Sequence, residues 1–167
     1  MDETASDIGP AGINIAYQRI GKSDAPPVLL TMGVAAQLIH WPDAFCQALA
    51  GHGLQVIRFD NRDAGLSTHM TGAPPPNLPA ALAGDLSSVS YTLSDMAADA
   101  VGLLDALGLE KAHVAGASMG GQIAQAIPGA ELVLIEGMGH DLPPGLRPQL
   151  AARIAEFVWR AERGATS

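Results

Sequence analysis

The serine in Gly116-Ala117-Ser118-Met119-Gly120 is the residue whose type and setting point most directly to chemistry. This G-x-S-x-G pattern follows a predicted strand and precedes a predicted helix, which is the context in which such a serine acts as a nucleophile. The outer glycines keep side chains out of a tight turn that exposes the hydroxyl, and the start of the helix favours developing negative charge. The alternative interpretation is a glycine-rich turn whose serine only caps the helix.

His140 is the best candidate for the base that a serine hydroxyl needs in order to become a nucleophile. It follows a predicted strand at residues 132–135, and the loops after parallel strands carry functional residues. The other four histidines fit a strand, the ends of helices or a proline-rich loop, and we interpret them as core or surface residues: His113, His52, His40 and His69. A capping role is the alternative interpretation of His140.

Two backbone amides are candidates for binding the oxyanion of an acyl-transfer reaction. The amide of Met119 follows the nucleophile directly, and the second donor in such sites usually comes from a loop after an earlier strand. Here that loop is Thr31-Met32-Gly33-Val34, and the Val34 amide is the predicted donor. Without the serine motif, this segment would be an ordinary glycine turn.

The composition narrows the class of protein further. The chain has 167 residues, of which 48% are hydrophobic and 16% charged, and this predicts one globular domain over residues 1–167. A net charge of −8 argues against nucleic-acid binding, which depends on cationic contacts with phosphate, and against an anionic membrane surface. We find no membrane span and no secretory signal, and therefore expect a cytoplasmic protein. The single Cys46 excludes an internal disulfide, and without a metal-ligand cluster or dinucleotide fingerprint we expect no cofactor.

Hydrophobic runs and turn residues predict alternating strands and helices. Strands are expected at residues 13–21 (one or two, antiparallel), 27–31, 55–59, 112–115 and 132–135, and helices at 41–52, 92–107, 119–127 and 146–161. Thr92 and Asp95 have the spacing of a capping box, and residues 65–90 are expected to form a loop. This order predicts an α/β fold with a mainly parallel sheet and helices on both faces.

The chain resembles the α/β-hydrolase superfamily, and within it the bacterial cofactor-free esterases of the anthracycline (aclacinomycin) methyl-esterase type. Four segments carry the resemblance: residues 29–33, 56–67, 116–121 and 135–143. It implies an ester hydrolase that uses the serine, the histidine and the two amides named above, and a small-molecule ester as substrate. It also implies a structural polar network near the site, formed by Asp60, Arg62, Asp63 and Ser67.

The chain departs from this family between the serine and the histidine, which are only 22 residues apart. The resemblance implies a longer segment there, with a helical cap and a strand that carries the triad acid; a natural miniature, an engineered deletion and a truncated product all stay open. The acid is therefore unknown, and the candidates are Asp63, Glu136 and Asp141. Loss of the acid lowers the rates of serine proteases by roughly 10⁴, so we expect weak to moderate hydrolysis of short-chain or activated esters.

The short segment between Ser118 and His140 also affects how the sheet and the oligomer are expected to form. Residues 132–135 would lie beside residues 112–115, which brings His140 close to Ser118, or these strands would pair between the protomers of a swapped dimer. An uncovered strand edge and apolar surface favour a homodimer or higher oligomer. The competing hypothesis is a catalytically impaired scaffold that binds small molecules or partners without turnover, and haloperoxidase or lyase chemistry on the same fold stays open.

Overall fold

The computed structural model describes residues 2–72, 75, 77–127 and 142–164. The predicted strand at 132–135 and three candidate site residues, Glu136, His140 and Asp141, lie outside this range. The described strands are β1 (Glu3–Ile8), β2 (Ile13–Ile20), β3 (Pro27–Thr31), β4 (Gln55–Phe59) and β5 (His113–Gly116). The described helices are α1 (Asp43–Gly51), α2 (Leu78–Leu82), α3 (Leu93–Ala106), α4 (Met119–Ala126) and α5 (Arg147–Gly164), with short 3₁₀ turns at Leu38–His40 and Pro144–Leu146. None of the helices in these segments is long and apolar enough to cross a membrane.

The described strands form one mixed sheet in the order β1-β2-β4-β3-β5. β1 pairs antiparallel with β2, and β2 pairs antiparallel with β4. β3 is parallel to both of its neighbours, with Leu30 opposite Arg58 of β4 and Ala115 of β5. The predicted parallel core is confirmed, and the carboxyl ends of β3, β4 and β5 lie at one edge of the sheet, where α/β proteins carry their sites.

Helices cover both faces of this sheet, as predicted. Val28 and Leu30 of β3 pack into a cluster with residues of α1 and α5, whereas Leu29 packs with residues of α3 on the other face. β4 alternates in the same way, with Val56 in the first cluster and Ile57 in the second. Because both faces are buried, β3 appears in the sequence as an apolar run rather than as an alternating pattern, whereas β4 also buries the polar residues Gln55 and Arg58.

The start of α3 confirms the predicted capping box. Thr92 Oγ1 accepts a hydrogen bond from the Asp95 amide at 3.2 Å, and the Thr92 amide donates to Asp95 Oδ2 at 2.6 Å. Thr92 Oγ1 also donates to Asp95 Oδ2 at 2.7 Å, and the two hydrogen bonds that the carboxyl accepts from the Thr92 amide and hydroxyl lower the pKa of Asp95. The predicted inward face of the last helix is also present, since Leu150 and Val158 of α5 are buried.

Two elements were not predicted. β1 is mostly polar, with only Ala5 and Ile8 buried, and its backbone pairing with β2 rather than a hydrophobic run defines it. α2 lies inside the segment predicted to be a loop. Asn77 caps the start of this helix, because its Oδ1 accepts a hydrogen bond from the Ala80 amide at 3.2 Å. Pro79 lies in the first turn, where a missing amide hydrogen leaves no bond unmade.

Candidate active site

Ser118 lies in a sharp turn between β5 and α4, with φ 58° and ψ −129°. Such a conformation is strained for a residue with a side chain, and strained residues concentrate at functional sites. Ser118 is exposed to solvent and occupies the capping position of α4, but its side chain makes no capping hydrogen bond. The interpretation of Ser118 as a mere helix cap therefore finds no support in the structure.

The glycines of the serine turn (residues 116–121) are explained by close backbone packing. A methyl group on Gly116 would lie 2.2 Å from the carbonyl of Gly120, and one on Gly120 would lie 2.2 Å from the Thr31 oxygen. The Ala117 amide donates to the same Thr31 oxygen at 3.1 Å. The turn is thus packed against the end of β3, which agrees with the predicted reason for both glycines.

The loop after β3 approaches Ser118 from the other side. A methyl group on Gly33 would lie 2.9 Å from Ser118 Cβ and 3.2 Å from its Oγ. The next residue, Val34, is exposed, and Ala35 has φ 54°, so the chain turns sharply after this approach. Met119 provides the first amide of α4, a position at which helices lack an internal acceptor. The backbone at Gly33–Val34 and the start of α4 therefore flank the serine.

Asp60 joins two loops at this edge of the sheet. Its Oδ1 accepts from the Leu38 amide at 2.6 Å, and its Oδ2 accepts from the Leu66 amide at 2.9 Å. Gly65 packs so tightly here that a methyl group on it would lie 1.9 Å from Oδ2. The buried Asp60 carboxylate thus has a structural role in holding the loops after β3 and β4.

Ser67 and Asn61 extend this network to neighbouring elements. Ser67 Oγ donates to the Asp60 carbonyl at 2.7 Å and accepts from the Ala16 amide of β2 at 2.9 Å. Asn61 Nδ2 donates to the Met32 carbonyl at 2.9 Å, which links the loop after β4 to the loop after β3. The bonds of Ser67 and Asp60 agree with the polar network that the resemblance implied, whereas Asn61 was not among its implied members.

Arg62, which the resemblance also implied as a member of the network, is bonded to a partner that sequence reasoning missed. Its Nε and Nη2 donate to the two carboxylate oxygens of Asp99 at 2.6 and 2.7 Å, and both side chains are almost fully buried. Hydrogen bonding to Asp99 raises the pKa of Arg62, and the guanidinium lies 5.1 Å from the centre of the Tyr91 ring. The available signal was Asp99 itself, an acid on the apolar face of the α3 pattern.

Asp63 is the one acid candidate within the described residues. It has φ 63°, and its Oδ1 accepts from the Met70 amide at 2.6 Å. Burial and a hydrogen bond to Asp63 together raise the pKa of Tyr91 to about 12. These contacts hold the loop after β4, and none of them reaches the serine turn.

Neither a reactive thiol nor a metal centre competes with Ser118 among the described residues. Cys46 is fully buried in α1, and burial raises the pKa of its thiol to about 11, which keeps the thiol protonated and inaccessible. Within the described ranges, no three His, Cys, Asp or Glu side chains are grouped closely enough to hold a metal ion. The exposed Ser118 is thus a better nucleophile candidate than the buried thiol.

A serine in a strained turn between a parallel strand and a helix, at the carboxyl edge of the sheet and with the backbone of the loop after β3 against it, is typical of the α/β-hydrolase class. The alpha/beta hydrolase fold family matches residues 26–144 of the chain. The chain belongs to this family, which confirms the resemblance inferred from its motifs.

Curated relatives identify the type of hydrolase to which the chain is similar. Rhodomycin D methylesterase DauP of Streptomyces sp. (strain C5) is 35% identical over 115 residues, which cover 69% of this chain and 34% of that protein. Rhodomycin D methylesterase DnrP of Streptomyces peucetius is 33% identical over the same length, with the same coverage. The chain spans about a third of the length of these relatives.

Solved structures give the same picture. A hydrolase from Pseudomonas aeruginosa PA01 is 29% identical with a TM-score of 0.58, and the match covers 74% of this chain and 39% of that one. The enol-lactonase from Burkholderia xenovorans LB400 is 25% identical with a TM-score of 0.57, and the match covers 74% of this chain and 40% of that one. The chain therefore has the fold of a hydrolase family that includes esterases.

Proposed function

We propose that the chain is a serine carboxylic-ester hydrolase that acts on short-chain or activated esters. The observation that carries the proposal is the geometry of Ser118, a strained and exposed serine at the start of α4 with the Gly33 backbone against it. Strain of this kind costs stability and persists where it serves a mechanism. The two methylesterase relatives support the same class of reaction.

In the proposed mechanism, Ser118 Oγ attacks the ester carbonyl carbon while His140 accepts the hydroxyl proton. His140 enters from the sequence, because it lies outside the described residues. The amides of Val34 and Met119 donate to the oxyanion that forms. The intermediate then expels the alcohol, which takes the proton from His140, and an acyl-serine is left. Water, deprotonated by His140, then attacks the acyl carbon; as the bond from this carbon to Ser118 Oγ breaks, Oγ takes the proton back from His140 and the carboxylic acid leaves.

The proposal does not require a triad acid. Asp63 is held by the Met70 amide and by Tyr91, which favours a structural role for it. A serine–histidine pair without an oriented acid loses roughly four orders of magnitude in rate, but the oxyanion donors still accelerate the reaction. We therefore propose slow turnover. Replacing Glu136 and Asp141, the other two candidates for the triad acid, tests whether either of them assists His140.

Hydrolysis of p-nitrophenyl acetate and butyrate by purified variants tests the proposal. Ser118→Ala is expected to reduce the rate to the uncatalysed background, and His140→Gln is expected to do nearly the same. The matched controls are Ser23→Ala and His52→Gln, which replace exposed residues in the turn before β3 and at the end of α1. Equal rates for the unsubstituted and Ser118→Ala proteins would contradict the proposal and favour a scaffold that binds without turnover.

A p-nitrophenyl alkylphosphonate supplies a second readout that does not depend on repeated turnover. Attack by Ser118 Oγ forms a phosphorus–oxygen bond and expels p-nitrophenolate, while the serine proton passes to the base. The expected result is one phosphonyl group per chain, located by mass spectrometry on the peptide that contains Ser118. The label should be absent from the Ser118→Ala protein and present in the Ser23→Ala protein.

We also propose that the protein is a homodimer or a higher oligomer. β5 is the last strand of the described sheet, and its residues are half-buried or exposed. Strand edges of this kind pair readily with other chains. Sedimentation velocity over a concentration series is expected to show the dimer, and a single monomeric species at all concentrations would contradict the proposal.

A cytoplasmic location stays a prediction, which cell fractionation would check.

A further inference from the structure

The most exposed large apolar side chains of the described residues follow the strands whose carboxyl ends lie at the same edge of the sheet as Ser118. Among the described residues, the large apolar side chains with the highest exposure are Val34 at 72%, Leu66 at 71% and Ile39 at 62%. All three lie in the segments that follow β3 and β4. Single exposed apolar residues are ordinary, but several at one functional edge indicate a binding surface. We call these three residues the apolar rim.

Two members of the rim are held together by one buried carboxylate. The two oxygens of Asp60 accept from the amides of Leu38 and Leu66 at 2.6 and 2.9 Å. Ile39 directly follows Leu38 in a 3₁₀ turn, so Asp60 links the segment that carries Ile39 to the segment that carries Leu66. Since Asp60 is 3% exposed, these bonds are protected from water and hold the two loops in one arrangement.

The third member of the rim connects it to the nucleophile. Val34 directly follows Gly33, whose backbone is in contact with Ser118. The hydrogen bond from Asn61 to the Met32 carbonyl ties this loop to the one that carries Leu66. The segment that carries Val34 thus contacts the serine at Gly33 and is bonded to the segment that carries Leu66.

We infer that the apolar rim binds the hydrocarbon part of a neutral ester, so that the site favours substrates with a chain or ring of several carbons over acetates. This inference rests on the proposed function. Substrate is the occupant that fits, because a second protein chain seated on the rim would also cover the exposed hydroxyl of Ser118. The net charge of −8 further disfavours esters that carry a carboxylate.

The size of the preference follows from the hydrocarbon that the rim removes from water. Full burial of a methylene would raise kcat/KM up to about fourfold, and an open surface that covers half of it gives about twofold. From acetate to hexanoate the acyl chain gains four methylenes, which corresponds to a ratio of kcat/KM on the order of 10. The leaving group is the same in both p-nitrophenyl esters, so the ratio isolates contacts with the acyl chain.

The experiment measures this ratio for the unsubstituted protein, Ile39→Ser, Leu66→Ser and the double variant. The rim predicts a ratio of about 10 that falls to about 2 or less in the double variant, while kcat/KM for acetate changes less than about twofold. Leu86→Ser is the matched control, because it replaces an exposed leucine outside the rim loops and is expected to keep the ratio. Val34 stays unchanged, because its backbone amide belongs to the proposed oxyanion site. Circular dichroism checks that each variant is folded.

A binding measurement separates failure of this inference from failure of the proposed function. Saturation-transfer NMR with 2-octanone, a neutral ketone that resembles the ester, is done in the Ser118→Ala background. We expect binding that weakens at least about threefold when Ile39 and Leu66 are replaced by serine. If hydrolysis depends on Ser118 but the double variant keeps the hexanoate-to-acetate ratio and the ketone binding of the unsubstituted protein, the inference about the rim is wrong and the proposed function stands. Hydrolysis that survives Ser118→Ala, with ketone binding still dependent on the rim, would overturn the mechanism and leave the rim as a ligand site. A dimer that dissociates in the double variant, with the ratio unchanged, would show that the rim is a contact between copies.

Discussion

The backbone of Gly33 lies so close to Ser118 that a methyl group on Gly33 would be 2.9 Å from the serine Cβ and 3.2 Å from its Oγ. Gly33→Ala must therefore displace the serine or the loop that carries the Val34 amide. Because a displacement of about 1 Å at a reacting group costs up to about 10² in rate, we expect kcat/KM for p-nitrophenyl acetate to fall about tenfold or more. Gly51→Ala is the control, since no heavy atom lies within 4 Å of the added group. Equal activity in both variants would show that the contact has no role in catalysis.

The neighbouring glycines Gly120 and Gly121 are predicted to differ sharply in their tolerance of alanine. A methyl group on Gly120 would lie 2.2 Å from the Thr31 oxygen, whereas one on Gly121 would lie 3.7 Å from the Gly116 oxygen, an ordinary contact. Gly120→Ala should lower the free energy of unfolding by about 3 kcal/mol or prevent folding. Gly121→Ala should raise it by up to about 1 kcal/mol, because alanine is the better helix former. Urea unfolding monitored by circular dichroism measures both changes, and equal values would contradict the packing of the serine turn.

The strained backbone of Ser118 predicts that glycine at this position gives a more stable protein than alanine. With φ 58° and ψ −129°, the residue adopts a conformation that glycine reaches more easily than serine or alanine. Ser118→Gly should therefore be more stable than Ser118→Ala by about 1 kcal/mol, although both variants lose the hydroxyl. Comparing the two isolates the backbone term, because neither retains Oγ. Thermal unfolding at one protein concentration measures the difference, and a less stable glycine variant would argue against strain at this position.

Breaking the ion pair of Arg62 and Asp99 by replacing one partner is predicted to destabilise the protein strongly. Both side chains are almost fully buried, so Asp99→Leu would leave the Arg62 guanidinium without its partner and cost about 3–5 kcal/mol. The double variant Arg62→Met with Asp99→Leu should recover most of that loss, because no buried charge is left. Glu3→Gln, which breaks the exposed pair with Arg19, serves as the control and should cost less than about 1 kcal/mol. Urea unfolding measures the free energy of unfolding of each variant. Similar losses for the buried and the exposed pair would contradict the prediction.

Local patterns were sufficient to predict the parts of the fold in which neighbouring residues decide the structure. β3 is a short apolar run, β4 has an apolar centre at Val56 and Ile57, and α3 starts at a capping box whose two partners are three residues apart. The serine turn was predictable for a similar reason. Its glycines and its serine lie within five residues of one another, and the chemistry needs each of them there.

Contacts between distant parts of the chain could not be predicted in this way. Arg62 and Asp99 are 37 residues apart, and nothing in the sequence around either residue specifies the other. Asp60 resembles other acids after a strand until the fold brings the Leu38 and Leu66 amides to it. β1 was missed because its stability comes from pairing with β2 rather than from its own side chains.

Tyr91 gives a prediction that depends on pH. Burial and a hydrogen bond to Asp63 raise the pKa of Tyr91 from 10.0 to about 12. Below pH 10 the phenol is protonated in the folded and the unfolded chain, so its contribution to stability is complete. Between pH 10 and 12 the unfolded chain loses this proton first, and the free energy of unfolding therefore decreases as the pH rises.

Tyr91→Phe should remove this part of the pH dependence. The free energy of unfolding in urea at pH 9 and pH 11 is expected to decrease more in the unsubstituted protein than in the variant. The chain has only two tyrosines, so subtracting the absorbance titration of Tyr91→Phe at 295 nm from that of the unsubstituted protein leaves the titration of Tyr91 alone. Its midpoint should lie near pH 12. A midpoint near pH 10 would show that the Tyr91 phenol is neither buried nor bonded to Asp63, and the loop that carries Asp63 would then lack this contact.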